Sequence, residues 1–217
     1  MKGPLKKEAK RQKEGRKLAS ERQSAWAATS IRIDQALAEF AEQWKAETGE
    51  SHYIERSSNR YSPHGIYTFN ANCISIRGGN SYTGIGEREG FSTKLVIEKS
   101  GLLMFTQFPD GRIMVLATPT TSDLKELPFS RILVFSPLEP SEITYETVNK
   151  ALKEYLWLQR ITKSVTFPNF GDRMRLFRYW IVDWRHSNDW KTWVGFWVAI
   201  ATLVFSFLAL IASLLAL

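Results

Sequence analysis

The chain has 217 residues, 44% hydrophobic and 13% aromatic, which excludes a wholly disordered protein and provides for one ordinary domain with appendages. Its single cysteine, Cys73, excludes a disulfide within the chain, and three histidines beside it are too few for a closed zinc site without carboxylates, so neither a metal nor a cofactor is expected. The formal charge of +7 is concentrated at one end, where residues 1–24 carry nine Lys/Arg against three Glu.

Residues 1–24 are rich in Lys, Glu, Ala, Arg and Gln, all good helix formers, but Leu5 and Leu18 are their only large apolar side chains. This composition predicts a solvated helix or arm with no face to bury. No apolar stretch follows the basic start, so it does not read as a secretory leader. An anionic membrane surface suits such an arm. Nucleic acid is disfavoured, because no aromatic residue precedes Trp26 to stack on bases.

Residues 25–48 differ. Trp26, Ile33, Leu37, Phe40 and Trp44 recur at helical spacing and predict an amphipathic helix that ends near Thr48-Gly49 and packs on a sheet. Residues 50–137 read as strands: Tyr67–Phe69, Cys73–Ile76, Lys94–Glu98, a hairpin LLMFTQF and RIMVLAT around Pro109-Asp110-Gly111, and RILVF from Arg131. Leu103 and Phe105 alternate with Met104 and Phe108, so both faces are apolar, and a sheet covered on both sides is expected. Residues 141–163 give a second helix, with Ser141 or Thr144 as cap and Val148, Ala151, Leu152, Tyr155 and Leu156 as its apolar face. Pro168 and Gly171 mark 164–171 as a linker.

From Trp193 to Leu217 the chain carries no charge. As a helix it would be about 37 Å long, enough to cross a hydrocarbon core of about 30 Å. Residues 172–192 before it read as an interfacial juxtamembrane segment. Trp180, Trp184, Trp190, Trp193 and Trp197 cluster at that boundary with Arg178, Arg185 and Lys191. With Arg173 and Arg175, these cations place the soluble part in the cytoplasm and give the architecture of a tail-anchored protein. Within the span, Gly195, Ala199, Thr202, Ser206, Ala209, Ser213 and Ala216 recur at alternating steps of four and three. Such a seam of small residues admits close helix approach and predicts association with a second copy.

The stretch RGGNSYTGIGEREGF, from Arg77, is the densest in glycine. Gly79 and Gly84 have P-loop spacing, but Ile85-Gly86 replace the Lys-Ser/Thr that reaches the phosphates. Gly84 and Gly86 begin a dinucleotide fingerprint, but Glu89 takes the third glycine's place and a strand follows instead of a helix. The stretch therefore reads as a long hairpin loop, whose Gly84, Gly86, Glu87, Arg88 and Glu89 are the candidate ligand-binding residues. No H-E-x-x-H, C-x-x-C or G-x-S-x-G is present, and no catalytic residue is assigned.

The sequence thus predicts an α+β domain over 25–163, a mostly antiparallel sheet flanked by two amphipathic helices, followed by one transmembrane helix. The functional expectation is a membrane-bound interaction module with lipid, a second copy and a cytoplasmic protein as partners. The alternative is a membrane-anchored enzyme or ligand sensor using loop 78–90. Polar groups converging on a pocket at that loop would favour the alternative.

Overall fold

The computed structural model describes residues 2–58, 72–89, 92–122, 127, 129–164, 166–186, 197–198, 200–202 and 205–206. In chain order these form α1 (Lys2–Thr48), β1 (His52–Ser58), β2 (Asn72–Gly78), β3 (Ser81–Glu89), β4 (Ser92–Glu98), β5 (Leu102–Gln107), β6 (Ile113–Ala117), β7 (Ile132–Leu138), α2 (Tyr145–Thr162) and α3 (Phe170–His186). The expected strand at Tyr67–Phe69 lies outside the described residues. Residues 1–169 make one compact unit and 170–217 a second.

The Pro109-Asp110-Gly111 turn behaves as its chemistry requires. Gly111 takes φ of +81°, a region that L side chains avoid, and joins β5 to β6 in register from Gln107–Ile113 to Leu103–Ala117. The pairing extends into a five-stranded antiparallel sheet of order β1-β2-β5-β6-β7. Between β2 and β5 the chain makes an excursion, β3 and β4, which pair as a separate two-stranded ribbon. This corrects the hairpin-loop expectation. The glycine-rich stretch is itself mostly a strand, irregular only between Tyr82 and Gly86, because the backbone hydrogen bonds of residues 86–89 are taken up by β4.

Both helices share one face of the sheet. Ile74, Ile76, Leu103, Phe105, Ile113, Val115 and Ala117 are buried on it, and Ile33 and Leu37 of α1 and Val148, Ala151, Tyr155 and Leu158 of α2 close over them. The His52 imidazole fixes the arrangement, since it stacks edge-on against Phe40 and Trp44 of α1 and against Tyr155 of α2. The expectation of a helix on each side is therefore corrected. Two helices that meet around one ring at the sheet must lie side by side. On the opposite face Leu102, Met104 and Met114 are half-buried. Cys73 lies on that face beside Thr106, which donates a hydrogen bond to its sulfur at 3.5 Å. Burial pushes the thiol's pKa up, so it stays protonated and unreactive at neutral pH.

The first helix is continuous from Lys2, with no break at residue 25. It terminates where expected, with Gly49 at φ +75° and its N–H donating to the Lys45 carbonyl. It docks earlier than its apolar pattern begins. The Arg22 guanidinium grips both Glu139 oxygens at 2.6 Å, and Gln23 Nε2 donates to the Pro109 carbonyl at 2.7 Å. Five residues beyond Glu139, Thr144 caps α2 by accepting from the Thr147 N–H.

Candidate functional site

The helical end of the sheet, where the β3–β4 ribbon departs, holds a cavity of about 510 Å³. Its floor is the start of β1 and the end of β2, from Ser51 and His52 to Gly78, and its rim continues through Gly79, Asn80 and Ser81. Trp44 and Glu50, at the end of α1, form one wall, and Leu156, Trp157, Gln159, Arg160 and Lys163 of α2 and its end form the other. Ser100 and Thr120 close the sheet side.

A polar latch holds this end together. Gln159 interrupts the apolar face of α2, one turn after Tyr155, and is buried. Its Oε1 accepts from the Gly101 N–H and from Thr120 Oγ1, both at 2.7 Å, and more weakly from Ser100 Oγ at 3.4 Å. Its Nε2 donates to the Thr118 carbonyl at 2.9 Å. Tyr155 works beside it: its hydroxyl accepts from the Gly78 N–H at 3.1 Å and donates to the Gly101 carbonyl at 3.3 Å. Burial raises the Tyr155 pKa, so the phenol keeps the proton it donates. Gly101 has to be glycine, because a Cβ there would overlap the Thr118 carbonyl oxygen and the Gln159 amide. At Gly78 a Cβ would come within 2.6 Å of Ser100 Oγ. Thr120 is pinned in turn, its N–H donating to Thr162 Oγ1 at 3.0 Å.

His52 is the unusual floor residue. Ringed by Phe40, Trp44 and Tyr155, it is desolvated, and burial lowers its pKa below 6.5 against the opposing charge of Glu50. The imidazole is therefore neutral at neutral pH. Its Nδ1 is buried and finds no hydrogen-bond partner among the described residues. Trp44 Nε1, by contrast, donates to Glu50 Oε2 at 3.3 Å. The cavity thus combines aromatic walls, both signs of charge and a neutral imidazole, a lining that suits a small polar ligand. Among the described residues no group of three or more His, Cys, Asp or Glu is placed to hold a metal ion.

The residues singled out from sequence are dispersed. Gly84, Gly86, Glu87, Arg88 and Glu89 lie on β3, with Gly86 opposite Leu95 and Glu87 opposite Lys94; their side chains lie outside what the structure describes. The cavity meets only the beginning of that stretch, Gly78 to Ser81. Arg178 is exposed on α3, and Trp180, Trp184 and Arg185 belong to the same helix. Trp190, Lys191, Trp193, Gly195, Ala199, Ala209, Ser213 and Ala216 lie outside the described residues. Thr202 and Ser206 are helical, and each hydroxyl donates to the carbonyl four residues back, Val198 and Thr202 respectively, at 2.8 Å. Trp197 is 44% exposed. Among the described residues no helix is long and apolar enough to cross a membrane; most of the expected span, 193–217, lies outside them.

Sequence reasoning missed Gln159 and His52. The signal for Gln159 was present as a polar residue in the middle of the arc set by Val148, Leu152 and Tyr155. No family model matches the chain, and neither a curated protein nor a solved structure is significantly similar to it.

Proposed function

We propose that the protein is a membrane-tethered module whose unit over residues 1–169 binds a small polar ligand at the helical end of its sheet. The observation that carries this reading is the cavity's lining, in which Trp44, His52, Arg160 and Lys163 converge on the Gly78–Ser81 rim. Polar groups meeting at the start of the glycine-rich stretch favour a ligand sensor over a flat interaction surface. The tether in this reading is the uncharged segment 193–217, and the Arg and Lys before it support a domain on the cytoplasmic side. The exposed apolar stripe Phe170, Met174 and Phe177 on α3 supports a segment that lies in the interface ahead of the span. The small-residue seam brings two copies together. Because Thr202 and Ser206 donate within their own helix, their contribution to it is close backbone approach and the acceptor sites their oxygens keep.

Two experiments test the reading. Deleting residues 193–217 releases the chain into the soluble fraction; a deleted chain that still pellets after a carbonate wash refutes the tether. For the cavity, the full chain in lipid nanodiscs is screened by thermal shift against small polar metabolites. A ligand of this site raises Tm by 2 °C or more, and Trp44→Ala together with Lys163→Glu abolishes the shift. Shifts that survive that double substitution place the ligand elsewhere and overturn the proposal.

A further inference from the structure

The first half of α1 does not touch the domain. Every side chain from Leu5 to Leu18 is exposed, and the first half-buried residue is Ala19. At 1.5 Å per residue, residues 2–18 form a rod of about 25 Å. From Leu5 to Leu18 it carries seven Lys/Arg against two Glu. These cations are not spread around the helix. At about 100° per residue, Lys6, Lys10, Lys13, Arg16 and Lys17 fall within one arc of about 120°. Lys7 and Arg11 lie on the other side.

The orientation of that arc is set by the domain. Where the rod leaves the fold, the Arg22–Glu139 clamp and the Gln23–Pro109 bond hold it, and the β5–β6 turn is pressed against it. A Cβ on Gly111 would overlap Arg22 Cβ and come within 3.0 Å of the Ala19 carbonyl oxygen. The helix therefore can neither roll nor slide without breaking these contacts. Ala19, Arg22 and Gln23, like Ile33 and Leu37 deeper in the core, lie on the side of the helix turned to the domain, and the centre of the cationic arc lies about 140° around from the centre of that side, with Arg16 at the arc's near edge. Two of its members pair loosely with neighbours, Lys10 with Glu14 at 3.9 Å and Lys17 with Glu21 at 3.8 Å, both fully in solvent and readily exchanged.

We infer that this outward arc is a second, electrostatic membrane contact, which lays the rod along an anionic lipid surface and orients the domain above it. A straight cationic stripe matches a flat sheet of phosphates. It has no aromatic side chain to stack on bases, and lysine, its main component, interacts as a point charge where base reading calls for arginine's fork. The arc's one apolar residue, Ala9, is too small to insert, so the contact is salt-sensitive and reads lipid charge rather than lipid packing. The inference takes lipid as its polyanion because of the membrane tether proposed above, and its test separates the two.

The full chain with Cys73→Ser and Gln12→Cys is labelled at position 12 with a donor dye and reconstituted in nanodiscs carrying a headgroup acceptor. Discs of pure phosphatidylcholine are compared with discs holding 30% phosphatidylserine. Energy transfer rises in the anionic discs and falls back at 0.5 M NaCl. Lys6→Glu with Lys13→Glu, on the arc, abolishes the rise. Lys7→Glu with Arg11→Glu, an equal charge change off the arc, preserves most of it. Each arc lysine brought to the lipid is expected to change the docked-to-free ratio about five-fold. An equal loss from both pairs, or no dependence on phosphatidylserine, overturns the inference. So does a duplex oligonucleotide that binds wild type and not the arc variant while phosphatidylserine leaves the label unmoved. A chain that fails to enter neutral discs overturns the tether instead, and the same label is then read against added phosphatidylserine vesicles.

Discussion

Replacing Gln159 with leucine isolates the latch at the cavity. Leucine occupies similar space on α2 but removes one acceptor and one donor. The Gly101 N–H loses its 2.7 Å bond and the Thr118 carbonyl its 2.9 Å bond, and Gly101 is buried against α2. Thr120 can turn its hydroxyl elsewhere, so it is not counted. A buried backbone group stripped of its partner costs about 1–3 kcal/mol. Two such groups, less a little for the added apolar burial, give a loss of about 3 kcal/mol. At about 2–4 °C per kcal/mol for a chain of this size, Tm falls by about 10 °C. The assay is thermal unfolding of the full chain in detergent, followed by tryptophan fluorescence, because Trp44 and Trp157 line the cavity. Lys153→Leu, on the exposed side of the same helix, controls for leucine itself and should move stability by less than about 0.5 kcal/mol. A Gln159→Leu protein as stable as wild type would refute the latch, and amide exchange at Gly101 no faster than wild type would refute it independently.

Three further outcomes are expected, two from the geometry of the domain and one from the small-residue seam of the sequence. Gly111→Ala must adopt φ near +81° and push against Arg22, so a loss of about 1–2 kcal/mol or more is expected in a thermal melt; Gly15→Ala, with nothing within 4 Å, should cost nothing, and equal behaviour of the two would show that the helix does not rest on the turn. The folded His52 pKa lies below 6.5, so the unfolded chain takes up this proton first, and stability falls as pH drops from about 6.5 towards the folded value and then levels off. His52→Phe removes that part of the pH dependence; identical wild-type and variant profiles between pH 5 and 7 would contradict it. In a membrane self-association reporter carrying residues 188–217, Ala209→Leu with Ser213→Leu should weaken the signal and Leu208→Ala should not, whereas a wild-type signal no stronger than a monomeric control would exclude pairing of copies.

Much of the domain was legible because its signals are local. The β5–β6 hairpin is written in Pro109-Asp110-Gly111, and α2 in its apolar period and its threonine cap. Elements whose identity depends on partners were harder to read. β1 holds one aliphatic residue, Ile54, because it is an edge strand with exposed Tyr53, Glu55 and Arg56. β3 looked like a loop because glycine density reports what a backbone is free to do, while strand pairing with β4 decides what it does. Periodicity revealed that each helix has a buried face but not on which side of the sheet it lies. The cavity was hidden for the same reason. His52, Ser100, Thr120 and Gln159 are far apart in sequence, and only the sheet order brings them to one end.

That order also bears on how the domain assembles. Every pair of neighbouring strands is antiparallel and follows the chain order, with the ribbon of β3 and β4 a local hairpin set between β2 and β5, so the sheet contains no crossover from one edge to the other. Distant parts of the chain meet at the junction of the first helix with the segment leading into the second, where Arg22 meets Glu139 and Arg32 donates to the Ile143 carbonyl across more than a hundred residues. A nascent chain that has not yet delivered residues 139–162 holds Ile33 and Leu37 against a half-covered sheet. Closure of the core is therefore a late, all-or-none step that requires the C-terminal side of the domain, and truncations that stop before α2 should yield an aggregation-prone chain rather than a smaller fold.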